Sequence, residues 1–111
     1  MNQVSIVGRL AQDPKFTQGE DTARAFFTVA VDRRGSAGGT DWIGVTAFGG
    51  LAETVTNYIG QGHLVAVEGH LRSSRYERNG ETQYGLEVIA NRVDFLARPR
   101  SAVGAEGDQA T

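Results

Sequence analysis

The chain has 111 residues, 11 of them basic and 13 acidic, with a net charge of −2 and no cysteine. That length suits one small domain with a modest core, which assembly with further copies would help to stabilise. The charge balance argues against indiscriminate attraction to polyanions. The missing thiols exclude disulfides and thiolate metal sites and agree with a reducing compartment, and no apolar run is long enough to cross a bilayer. The N-terminus lacks the form of a signal peptide.

The pattern in chain order is mostly β. Val4–Leu10 alternates, with Val4, Ile6 and Gly8 opposite Ser5, Val7 and Arg9, and Asp13-Pro14 breaks the strand. Thr17–Asp21 reads as a polar turn. Ala23–Val31 is a second strand, with Phe27, Val29 and Val31 on one face and Phe26, Thr28 and Ala30 on the other. Asp32–Gly39, which holds Arg33 and Arg34 among glycines, reads as a flexible loop.

Thr40–Phe48 is the third strand and the most informative stretch. Ile43, Val45 and Ala47 form an aliphatic face that suits a core, and Trp42, Gly44, Thr46 and Phe48 form the other face. The two aromatics of that second face lie about 20 Å apart at ~3.3 Å per residue. Leu51, Ala52, Val55, Tyr58 and Ile59 then make one stripe of a short helix that Gly60 and Gly62 stop, with Tyr58 expected in the core.

Leu64–Leu71 is the fourth strand, and Arg72–Arg78 continues it in polar residues as far as Asn79-Gly80, a strong hairpin signal. A two-residue loop sets Arg78 opposite Glu81, Tyr76 opposite Gln83 and Arg75 opposite Tyr84. The return strand, Glu81–Phe95, offers Leu86, Val88 and Val93 to the core, and so few large apolar residues lie between Arg72 and Gln83 that the hairpin tip should project. Five strands with one helix between the third and fourth is the order of an OB-fold barrel over residues 1–100; an open five-stranded sheet carrying a helix is the alternative. Residues 101–111 are small and polar and are expected to be disordered.

Catalysis finds little support. His63 and His70 are the only histidines, Asp41 and Glu68 lack an acid/base partner, and neither a nucleophile elbow nor a Walker loop is present. No metal or cofactor is expected. Base stacking fits better, because unpaired nucleic acid offers flat faces and a charged backbone. Trp42, Phe48 and Tyr76 are the candidate platforms, with Arg9, Arg72, Arg75, Arg78, Arg33 and Arg34 as candidate phosphate contacts. Ten of the 11 bases are arginine, which forks onto phosphate and stacks on planar groups better than lysine does. The competing reading for Trp42 and Phe48 is burial in a second core or a subunit interface.

The sequence resembles the bacterial single-stranded DNA-binding protein family from Met1 to about Leu96. The likeness is carried by Met1–Leu10 with Asp13-Pro14, Phe27–Val31, Thr40-Asp41-Trp42, Phe48-Gly49, Leu51-Ala52-Glu53, Tyr58, Gly62 and Val67–Arg72. It implies an OB-fold, a homotetramer, and cytoplasmic, nucleoid-associated binding of single-stranded DNA without sequence preference in replication, recombination and repair. The family's stacking aromatics fall on Trp42, Phe48 and Tyr76, the last standing where many members have Trp.

Some features depart from the family. A further stacking aromatic would fall near Gly35 and is missing, and positions that are often basic read Gly44, Gly50 and Gln61. Weaker binding with a shallower salt dependence is therefore expected. The end, Gly107–Thr111, lacks the acidic, hydrophobic tip through which members recruit repair enzymes, so recruitment by that route is not expected. This fits a naturally tail-less form, for instance of plasmid or viral origin, or a shortened one. A reading of another class is an oligomeric OB-fold adaptor, like the primosomal replication protein, that works mainly through protein partners.

Overall fold

Alternation with period two lays out the interior. In the computed structural model, which describes residues 1–35 and 38–99, six strands and one helix follow in order. They are β1 (Val4–Leu10), β2 (Lys15–Gln18), β3 (Ala23–Asp32), β4 (Thr40–Phe48), α1 (Gly49–Tyr58), β5 (Leu64–Arg78) and β6 (Glu81–Ala97). Arg100 and the tail 101–111 lie outside the described residues.

Five of the strands close a ring. β1 runs antiparallel to β5, β5 to β6 and β3 to β4, while β4 meets β6 in parallel at Val45–Val88 and Thr46–Ile89. The ring shuts where Arg9 and Leu10 of β1 meet Ala30 and Val29 of β3. This is the expected OB-fold. Closure needs backbones in close approach at two glycines. A Cβ at Gly8 would strike the carbonyl of Ala30, and one at Gly69 would strike that of Ile89, next to the register shift that bends β5 after Glu68.

The core takes one face of each ring strand. Ala25, Phe27 and Val29 of β3 meet Val45 and Ala47 of β4, Val65 and Val67 of β5 and Val88 of β6. Ala52 and Val55 of α1 plug one end of the ring, together with Ile59 just beyond the helix.

Three expectations are corrected. Thr17 and Gln18, expected in a polar turn, belong to a strand: β2 pairs with β3 from Lys15–Phe26 to Gln18–Ala23. All of its residues are exposed, so backbone pairing alone defines it and no burial alternation marks it in the sequence. Tyr58 is exposed, not core. Helix α1 ends there, and extended Ile59 turns inward to take the core position. Leu86 is also exposed, because it lies opposite Ser73 on the part of the hairpin that has left the body. The hairpin register agrees with that expected from Asn79-Gly80, both of which have positive φ.

Gly69→Ala should cost on the order of 1–3 kcal/mol, through overpacking against the β6 backbone. Gly50→Ala, whose new methyl meets nothing within 4 Å, should cost nothing. Urea unfolding midpoints of the two variants would test this contrast, and equal midpoints would contradict it.

Candidate nucleic-acid interface

The faces of β3 and β4 that the core does not use point outward together. The register sets Ala30 beside Trp42, Thr28 beside Gly44, Phe26 beside Thr46 and Arg24 beside Phe48. Trp42 is 65% exposed, which removes burial within the subunit as its role. It borders an open groove lined by Val7, Arg9, Ala30, Asp32 and Leu64 among others. Phe48 is half-buried at the other end of the strand.

A polar chain fixes the surroundings of Phe48. The buried hydroxyl of Thr46 donates to Glu87 Oε1 at 2.8 Å, and Arg72 donates to Glu87 Oε2 at 3.2 Å. The Arg72 guanidinium carbon then sits 5.7 Å from the Phe48 ring centroid, a cation–π contact worth about 0.5–1 kcal/mol at an exposed site. Residues from β4, β5 and β6 are thereby tied together around one ring. Tyr76, four residues beyond Arg72 on the same face of β5, is half-exposed and leans toward Gly85 of the paired strand. Arg78 shares that face by alternation.

Not every expected cation joins this surface. Arg75 stands on the opposite face of the hairpin, across from Tyr84. Arg9 does line the Trp42 groove, but its Nη1 donates to the carbonyls of Gly62 at 2.8 Å and Arg98 at 3.3 Å, pinning β1 to the chain around it. Arg33 is paired with Asp41 at 2.8 Å. The hydrogen bond and then the charge of Asp41 hold that guanidinium above its ordinary range. Among the described residues, Arg34, Arg75 and Arg78 make no ion pair.

Sequence reasoning missed Glu87, Asp41 as a partner of Arg33, and the exposure of Phe26. Glu87 could have been found by extending the hairpin register inward, since the same counting that pairs Arg78 with Glu81 pairs Arg72 with Glu87. The histidines have local roles. His63 accepts the Gly60 N–H at Nδ1 and packs edge-on against Phe95, and His70 Nδ1 lies 3.3 Å from Asn91 Oδ1. Among the described residues, no group of three or more His, Asp or Glu side chains could hold a metal ion.

Comparison with known proteins decides the lineage. Residues 1–96 match the family model described as the single-strand binding protein family. The chain belongs to this family. Among its relatives is a single-stranded DNA-binding protein of Clostridium tetani, 42% identical over 86% of this chain and 70% of the relative. Another, from Clostridium perfringens, is 38% identical over 97% of this chain and 78% of the relative. A third, single-stranded DNA-binding protein 2 of Streptococcus agalactiae, is 40% identical over 86% of this chain and 76% of its own length.

Because Trp42 is the only tryptophan and is largely exposed, it reports directly on this family member's outer face. Its emission should lie close to that of indole in water, and acrylamide should quench it in the folded protein nearly as well as in urea. A blue-shifted, protected emission would contradict an open face at Trp42.

Proposed function

We propose that the protein binds single-stranded DNA without sequence preference and protects it during replication, recombination and repair. Bases stack on Trp42, Phe48 and Tyr76 while arginines hold the phosphates. The observation that carries this reading is one outer surface, unused by the core, that leads from exposed Trp42 to Phe48 and on through Arg72 to Tyr76. The names of the relatives support it. Each stacked base contributes roughly 1–3 kcal/mol and does so for any base, which yields affinity without sequence readout.

Arg72 and Arg78 suit phosphate contacts on the stacking face, and Arg34 and Arg75 suit a backbone that wraps past it. Arg9 and Arg33 contribute less: two backbone carbonyls hold Arg9 and Asp41 takes two N–H groups of Arg33, whereas Glu87 takes one from Arg72. We place the binding domain at residues 1–100 and its work in the cytoplasm, where unwound DNA is exposed.

Assembly into a homo-oligomer, a homotetramer by family resemblance, belongs to the same reading. β1 pairs with β5 from Val4 to Arg9, yet β3 takes only Arg9 and Leu10 on its other edge. The unpaired stretch is a ready template for a second copy.

Oligo-dT should quench Trp42 emission, and Tyr76→Ala should weaken that binding by roughly 1–3 kcal/mol. Unchanged emission together with no mass shift in solution at excess oligo-dT would instead favour a protein-binding adaptor. Asp41→Asn should release Arg33 and remove a like charge facing the phosphates. Affinity should therefore rise, and the dependence of log K on log salt should steepen by up to about 0.7. An unaltered slope with unaltered affinity would place Arg33 away from the strand's path.

A further inference from the structure

Phe26 has no part in the reading so far. It faces outward from β3 and is 43% exposed, an unusual place for a phenylalanine in a strand whose next residue, Phe27, already serves the core. Its ring lies across Gly44 of β4: a Cβ there would come within 3.2 Å of Cε1 and 3.3 Å of Cζ. Any side chain at Gly44 would therefore crowd the ring. As it is, the ring rests against the strand on one side and is open to solvent beyond.

The position along the sheet matters as much as the exposure. Phe26 lies four residues from Ala30, the partner of Trp42, and two from Arg24, the partner of Phe48. At ~3.3 Å per residue these offsets are about 13 and 7 Å. Phe26 is the register partner of Thr46, so a strand of nucleic acid that reaches both Trp42 and Phe48 along this face runs beside it. Cations flank the ring. Arg24 shares its face of β3, and Lys15, the only lysine of the chain, is its register partner on β2. Both are exposed, and among the described residues neither makes an ion pair. A shallow cleft lined by Lys15, Phe26, Gln12 and Asp13 adjoins the ring. The Asp13 carboxylate there accepts the N–H of Gln61 at 2.8 Å.

We infer that the outer face of β2 and β3 holds one further nucleotide, its base stacked on Phe26 and its phosphates against Lys15 and Arg24. The inference rests on single-stranded DNA binding by the Trp42 face and adds a subsite to it. It also gives β2 a purpose, since that strand buries nothing. The competing role for Phe26 is simple cover for the Gly44 backbone, the way aromatics commonly shield glycines across strands.

The test uses the full chain and oligo-dT. Phe26→Leu keeps apolar cover over Gly44 but loses the flat face, so it should weaken binding roughly 5- to 160-fold, the range one stacked base carries. Its salt slope should be unchanged, because stacking releases no counterions. Lys15→Gln should instead lower the slope by about 0.7. A Phe26→Trp variant in a Trp42→Phe background places the only indole at the subsite, and oligo-dT should quench it. If wild-type protein binds and Phe26→Leu binds equally well, or if the relocated indole is not quenched, Phe26 is cover only and this inference fails alone. If wild-type protein does not bind oligo-dT, the reading beneath it fails as well.

Discussion

Closing five strands into a ring fixes an inside and an outside for every residue on them, and the protein depends on that division. A strand in a closed ring has no free choice of face, because a slip of one residue would exchange its whole interior set for its exterior set. In β4 the exchange would bring Trp42 and Phe48 inward and expel Val45 and Ala47, both fully buried. The small residues of the interior are what make the ring narrow. The interior is mostly valine and alanine around Phe27, so an indole turned inward from β4 would overpack it. The aromatic surface is thus a consequence of how tightly the interior is packed.

Electrostatics are arranged sparingly on the same surface. Arg72 is held by Glu87 and stacked on Phe48, so it is oriented before any ligand arrives. The pair is half-exposed and contributes little stability, as surface ion pairs do. Its value lies in position. A planar guanidinium already parked on a ring would lose less freedom on taking up a phosphate. Arg33 is held more fully, since Asp41 takes two of its N–H groups where Glu87 takes one of Arg72's, and Asp41 competes with any phosphate for it. With a net charge of −2, the protein has no general positive field, and the proposed binding would rest on a few placed cations.

Most of the fold was legible because β alternation and glycine-bearing turns are strong local signals. Thr40–Phe48 and Val4–Leu10 coincide with β4 and β1, and Asn79-Gly80 set the long hairpin register correctly. The misses have a common origin in tertiary placement. β2 carries no alternation, since a strand with every residue exposed has no inside to encode. Tyr58 matched the helical stripe, but where the helix ends decides whether it or Ile59 turns inward. For the site, alternation placed Trp42 and Phe48 on the outer face, while the partners that occupy Arg9 and Arg33 are set by loops and chain crossings. Phe26 was assigned the right face without its exposure, which depends on an absent side chain at Gly44 one strand away.

Tyr58 and Phe95 are exposed aromatics too, and they line a second open pocket with His63, Arg98 and Pro99. Ultraviolet crosslinking of the protein to oligo-dT, with the modified peptides mapped by mass spectrometry, therefore tests the central claim directly. Crosslinks concentrated at Trp42, Phe48 and Tyr76 are the predicted result. Crosslinks confined to Tyr58 and Phe95 would contradict the account and move the binding surface to that second pocket.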